Sequence, residues 1–325
     1  MKRYSKSLLG ASLIWLLLNV PAWGGSPEKI PVAASIIPLG DFCQKIGGDR
    51  VEVQVLIPPG ASPHVYEPTP ATVAKAQTAR LLVYVGAGLD PWADRLVRSR
   101  GARDLAVVEA VQGLSLLGDV DSQHHDHHEG HGHEKEGLSH EGGSKAASGG
   151  KKAAHPHGNP HVWLDPVAVQ GICRRIAEAL IKIDPEHRPA YEANLGRYLA
   201  ELEELNQEIA GKVAGFRLKE YVCFHPAFPY FARRYGLKEV GVIELAPGRE
   251  PTPRHIQKIV QAIRKYGVKV VFAEPQLSHR VAEVIAREAG AKVLILDPLG
   301  GQPPYGTDYL KLMRYNLSVL EQAMQ

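Results

Sequence analysis

The chain has 325 residues, with 38 Lys and Arg against 35 Asp and Glu, a formal charge of +3. That length holds two domains with a core each. A charge so near balance, with no Lys/Arg block interleaved with aromatics, argues against nucleic acid as a partner.

The N-terminus stands apart from the rest. Lys2, Arg3 and Lys6 make a positive start, residues 8–20 are almost free of polar side chains, and Ala22-Trp23-Gly24 offers small residues around a cleavage site. This pattern over residues 1–24 reads as a secretory signal peptide. The apolar run is well under the ~20 residues a membrane span needs, and no cysteine follows it to carry a lipid. A cleaved, periplasmic protein is expected. Cys43, Cys173 and Cys223 form an odd set, so at least one thiol is expected to stay unpaired. Cys43 and Cys173 sit in helical patterns beside apolar neighbours, where buried thiols are a better reading than a disulfide.

After the signal, strand-like and helical stretches alternate. Strands are expected at 30–36, 51–56, 81–85 and 105–108, with helices over 39–46 and from Pro70 and Pro91. Strands separated by helices point to a parallel α/β sheet flanked by helices. Residues 121–158 then turn rich in His, Gly, Ser, Glu and Lys, with almost no large apolar side chain. Such a segment cannot bury enough surface to order itself and is expected to be a mobile loop.

Asp165-Pro166 is a helix start, with Asp as N-cap and Pro at the first helical position, and the helix is expected to reach about Ile183. Asp184-Pro185 opens a longer one. Tyr191, Leu195, Tyr198, Leu202, Leu205, Ile209 and Val213 recur every three or four positions. A helix over 187–214 would be roughly 40 Å long, enough to run the length of two lobes. The α/β alternation then resumes, with strands at 221–224, 239–243, 268–272 and 292–296 and helices over 227–235 and from Pro253, Ser278 and Asp308. The expected fold is α/β with two lobes, each a parallel sheet flanked by helices, joined by one long backbone helix. The N-terminal lobe would cover 26–186, the linking helix 187–214 and the C-terminal lobe 215–325.

Of fifteen histidines, nine fall in the low-complexity segment: His124, His125, His127, His128, His131, His133, His140, His155 and His157. Three of the others share a setting. His64 lies in Pro63-His64-Val65-Tyr66-Glu67-Pro68, soon after a strand. His161 lies in Asn159-Pro160-His161-Val162-Trp163-Leu164-Asp165-Pro166, and His225 in Cys223-Phe224-His225-Pro226 at a strand end. Asp297, in Leu296-Asp297-Pro298-Leu299-Gly300, also follows a strand. Ligands of α/β sheets bind beyond the carboxyl ends of strands. Three neutral imidazoles and one carboxylate suit tetrahedral Zn²⁺, whereas the harder Mn²⁺ calls for more carboxylate. Any one of these residues alone reads as a polar loop or turn residue; the four placements together carry the argument. His187, His255 and His279 read as helix-start or surface residues.

With these strings, and with Ala34-Ser35-Ile36-Ile37-Pro38-Leu39 and Phe272-Ala273-Glu274-Pro275-Gln276, the chain resembles the substrate-binding proteins of zinc-uptake ABC transporters. These form the ZnuA-like branch of the zinc/manganese solute-binding family. The likeness runs from about Ile30 to the C-terminus and is interrupted at the His-rich segment. It implies a Zn²⁺ held in the cleft between the lobes by His64, His161, His225 and Asp297. It also implies a membrane permease of an ABC importer as partner, an auxiliary zinc chaperone as a second one, and a monomeric, non-enzymatic protein. Manganese-type relatives tend to carry Glu at the position of His225, so His there favours zinc over a manganese- or iron-binding member. Cys223-Phe224 departs from the small polar residues expected before that His. The His-rich insertion also resembles the zinc branch, where it would hold zinc weakly.

Two alternatives stay open on residues alone, and a third is disfavoured. A zinc-dependent hydrolase would use three histidines and an open fourth position, but no His-Glu-x-x-His is present. Glu67 and Glu274 are the candidate catalytic acids; each precedes a proline, where a bridge or cap is the plainer reading. An adhesin-like or metal-buffering protein could carry the same site. Nucleotide binding is disfavoured, because no P-loop and no G-x-G-x-x-G follows a strand.

Overall fold

A computed structural model describes residues 28–100, 105–118, 158–244 and 250–325. The expected signal peptide and the nine histidines of the low-complexity segment lie outside the described residues.

Among the described residues two four-stranded sheets are present, and every pairing in both is parallel. The first is built from β1 (Ile30–Ala34), β2 (Val51–Val55), β3 (Leu81–Tyr84) and β4 (Ala106–Glu109), in the order β2-β1-β3-β4. Helices α1 (Ile37–Gly47), α2 (Pro70–Thr78) and α3 (Pro91–Arg100) connect them. The second holds β5 (Glu220–Cys223), β6 (Lys238–Val242), β7 (Val270–Ala273) and β8 (Lys292–Ile295), in the order β6-β5-β7-β8. Its helices are α6 (Pro229–Tyr235), α7 (Pro253–Tyr266) and α8 (Arg280–Ala289). The central strands β3 and β7 are buried at every residue, as expected for parallel strands covered on both faces.

Helices α4 (Pro166–Ile183) and α5 (Arg188–Ala214) lie between the sheets in sequence. The α4 start follows the sequence signal: the Asp165 carboxylate accepts from the Val167 N–H at 2.9 Å. The second Asp-Pro behaves differently. Pro185–His187 is a 3-10 turn, and α5 begins only at Arg188. Here the Asp184 carboxylate accepts from Tyr191 Oη at 2.8 Å and pairs with His187 Nδ1 at 2.9 Å instead of capping α5. Six of the seven periodic residues of α5 are buried; Leu195 is half-buried.

The sequence reading had one helix joining the lobes, and the structure adds a second. The C-terminal helix α9 (Tyr309–Met324) follows the second sheet yet packs on α1 of the first lobe and along α5. The Tyr309 ring meets Phe42 edge-on at 4.9 Å, and its backbone N–H donates to the Asp41 carboxylate at 3.2 Å. At its far end the Met324 carbonyl accepts from Arg217 and Leu218. One continuous apolar core therefore runs through both sheets, α4, α5 and α9, with a smaller one under α7 and α8. Cys43, Cys173 and Cys223 are buried free thiols. Among the described residues no helix is long and apolar enough to cross a membrane.

Candidate metal centre

His64 sits on the loop between β2 and α2, His161 just ahead of α4, and His225 two residues past β5. These three stretches, far apart in sequence, bring their rings together with centroids 4.7, 4.8 and 5.1 Å apart. One nitrogen from each ring lies within 4.8 Å of the others. His64 Nε2 and His161 Nε2 are 3.2 Å apart, so at most one can carry a hydrogen towards the other. His161 and His225 are buried and His64 is half-buried.

Two of the rings are aimed by a partner on the far nitrogen. Asn159 Oδ1 lies 2.9 Å from His161 Nδ1. Glu274, one residue past β7, places Oε1 3.0 Å from His225 Nδ1. Strands β5 and β7 are the neighbours at which the order of the second sheet reverses, the crevice where open α/β sheets bind ligands. The Glu274 carbonyl is held in turn by His279 Nε2 at 2.7 Å. Such partners fix ring orientation and raise ligand basicity. Glu67, the other acid singled out in the sequence, points to solvent and pairs weakly with exposed Arg95 at 3.5 Å.

The surroundings set the protonation of each ring. Burial, helped by the His225 charge, lowers His64 to about 3. Burial also holds His161 well below its usual value, with the other two rings adding to the effect. Burial pulls His225 down as well, but the charge and hydrogen bond of Glu274, with Glu244 and Glu239 behind, outweigh it and raise this ring. Two ligand candidates are thus held neutral, ready to bind a cation, and the third stands against carboxylates that offset a charge of +2.

Ser62, Trp163, Glu244, Gln276 and Leu299 are among the residues that line the rest of the space. The cavity there is about 20 Å³, room for a water or an ion. Gln276 donates from Nε2 to Asp297 at 2.9 Å, while its buried Oε1 has no partner among the described residues, as suits an acceptor for a water on an ion.

Asp297 is fully buried but stands outside the histidine group. Its Oδ1 accepts from Leu299 N–H at 2.9 Å, Gly300 N–H at 3.1 Å and Gln276, and its Oδ2 from Tyr305 Oη at 2.6 Å. The carboxylate fastens the turn after β8. That turn carries Gly301, with φ +89°, against Ile37 and Pro59 of the first lobe; a Cβ there would come within 2.5 Å of the Ile37 side chain. Sequence reasoning quoted Asn159 and Gln276 without giving them roles and missed Glu244. The signal for Glu244 was present: it follows a strand end, as His225 and Glu274 do.

Contacts beside the site join the two lobes. Arg234 of α6 grips Asp165 with both oxygens engaged, the shortest contact being 2.6 Å. Trp163 Nε1 donates to the Pro298 carbonyl at 2.7 Å, and Tyr309 Oη to the Trp163 carbonyl at 2.8 Å.

Two α/β lobes, tied by two helices and closing three imidazoles around an ion-sized space, define a metal-ion-binding protein of the solute-capture type. The chain belongs to the ZnuA family, described as zinc-uptake complex component A, periplasmic, whose profile matches residues 32–323. It is 32% identical over 301 residues to the high-affinity zinc uptake system protein ZnuA of Bacillus subtilis, covering 91% of this chain and 88% of that protein. It is 30% identical to the zinc-binding protein AdcA of Streptococcus pyogenes, spanning 90% of this chain but 55% of that longer one. The crystal structure of a ZnuA deletion mutant with zinc bound matches with a TM-score of 0.74 at 30% identity, over 92% of this chain and 99% of the other.

Proposed function

We propose that this chain captures one Zn²⁺ outside the cytoplasmic membrane on His64, His161 and His225, and releases it to the membrane permease of an ABC importer. The convergence of three imidazoles with no carboxylate among them carries this reading. Such a donor set favours Zn²⁺ over Mn²⁺. A water held by Gln276 would complete a tetrahedron, with Asp297 acting on it through that amide. The relatives' names support zinc uptake as the physiological setting, and the basic start and apolar run of residues 1–24 support a periplasmic home after signal cleavage. The ion-sized cavity favours capture over hydrolysis, since a hydrolase needs room for its substrate.

Residues 187–214 would serve as the stiff link between an N-terminal and a C-terminal lobe. With α9 as a second tie, release would proceed through a small tilt and loop movement.

The deciding experiment is metal analysis of protein purified without added metal, followed by competition titration with zinc and manganese. One tightly held zinc per chain is expected, with manganese far weaker. Tight manganese with weak zinc, or no stoichiometric metal, would sink the reading.

A further inference from the structure

Asn159 lies two residues before His161 and is 5% exposed. Its backbone is pinned at both polar groups: the N–H donates to the Leu117 carbonyl at 2.7 Å, and the C=O accepts from Tyr230 Oη at 2.7 Å. The side-chain amide is oriented by partners of its own. Nδ2 lies 2.7 Å from the Pro226 carbonyl oxygen, an atom that only accepts. The amide nitrogen must therefore be on that side. Oδ1 is left facing His161, 3.0 Å from its backbone N–H and 2.9 Å from its Nδ1.

An amide oxygen can only accept, so His161 Nδ1 has to carry the ring hydrogen. The lone pair is then on Nε2, the nitrogen that faces the other histidines. The same amide reaches the opposite lobe at Pro226, the residue bonded to His225. A neutral amide achieves this without adding charge beside His161, whereas His225 has a carboxylate behind it.

We propose that Asn159 is a positioning residue for the metal site: its one amide selects Nε2 as the ligating atom of His161 and sets the spacing of His161 from His225 across the lobes. This rests on the three-histidine reading above.

The test uses the full chain with Asn159→Ala and Asn159→Asp. Histidine tautomers are read in the metal-free protein by long-range nitrogen–proton correlation spectra, and zinc affinity by competition with a chelator. In the unaltered protein His161 should show a single tautomer with the hydrogen on Nδ1. Asn159→Ala should mix the tautomers and lower zinc affinity 10–100-fold, the usual loss when a ligand's supporting partner is removed. Asn159→Asp keeps an acceptor towards His161 but sets an oxygen against the Pro226 carbonyl. It should keep the tautomer and lose less affinity than Ala.

A residue serving only the fold would lower the melting temperature and leave tautomer and affinity of the folded protein unchanged; that result overturns the proposal. So does a hydrogen on His161 Nε2 in the unaltered protein, which needs no variant to fold. If Asn159→Ala does not fold, unchanged affinity in Asn159→Asp overturns the spacing role. Absence of tight zinc binding by the unaltered protein overturns the three-histidine reading, whereas the His161 tautomer, read without metal, tests the role of Asn159 separately.

Discussion

The two lobes repeat one strand order, β2-β1-β3-β4 and β6-β5-β7-β8, yet hold their histidines differently. In the second lobe His225 sits directly at the end of β5, buried, with the Glu274 carboxylate behind it from the next strand. In the first lobe His64 stands nine residues past β2, on a loop whose neighbouring Val65 is 64% exposed. That loop is steadied by Tyr66 Oη on the Leu56 carbonyl and by Gly301 pressing on Pro59 from the other lobe. Strand order therefore brings a histidine to the mouth of the cleft. What stands behind the ring decides how firmly it is aimed.

The widest consequence concerns the proposed ligands. His225→Ala and His64→Ala should each lower zinc affinity by more than the 10–100-fold that losing a supporting partner brings. The firmly backed His225 should cost more. Competition titration of both variants, with folding checked by circular dichroism, measures the gap; equal losses would erase the distinction drawn between the lobes.

Glu274→Gln keeps an acceptor behind His225 but removes its charge. About tenfold weaker zinc binding is expected, with a melting temperature close to that of the unaltered protein. Full retention of affinity would assign the effect to hydrogen bonding alone.

Gly301→Ala tests the hold of the second lobe on the loop of His64. The added Cβ meets Ile37 at 2.5 Å and Pro59 at 2.9 Å, at a φ of +89° that disfavours side chains. A loss of about 2 kcal/mol in denaturant unfolding is expected, together with weaker zinc binding because the His64 loop is displaced. Loss of stability without loss of affinity would separate the loop from the site.

The smallest effect belongs to the seam where α1 meets α9. Burial raises the Asp41 carboxyl to about 6, against hydrogen bonds and Lys45 that lower it. A folded value above the unfolded one means the folded protein binds more protons between pH 4 and 6, so stability falls as pH rises through that window. Asp41→Asn still accepts from Tyr309 N–H but never ionises. It should gain about 1 kcal/mol at pH 7, nothing at pH 4, and show a flatter profile in urea melts at the two pH values. A loss at pH 7 would mean that the charge itself holds the seam.

Much of this was legible in the sequence because it depends on short-range chemistry. The Asp165-Pro166 start, the apolar period of α5 and the all-apolar β3 follow from capping, helical repeat and burial on both faces of a strand, each readable within one window. His64 and His225 could be singled out for the same reason, since α/β topology puts strand ends at the cleft, whereas His161 stood out by the string around it. Asp184-Pro185 misled slightly because the pattern for a cap is local, while the partner that won the carboxylate, Tyr191, was decided by packing. The proposed donor set was a tertiary matter. Asp297 has the right residue type in the right place after β8, and only the folded turn shows its oxygens engaged by Leu299, Gly300, Gln276 and Tyr305. The aim of His161 and His225 likewise rests on Asn159 and Glu274, of which the second is 49 residues from its ring. Sequence sets which chemistry a residue can perform; hydrogen-bond competition across the fold settles which partner it meets, because a buried polar atom has few lone pairs and hydrogens and every donor nearby contends for them.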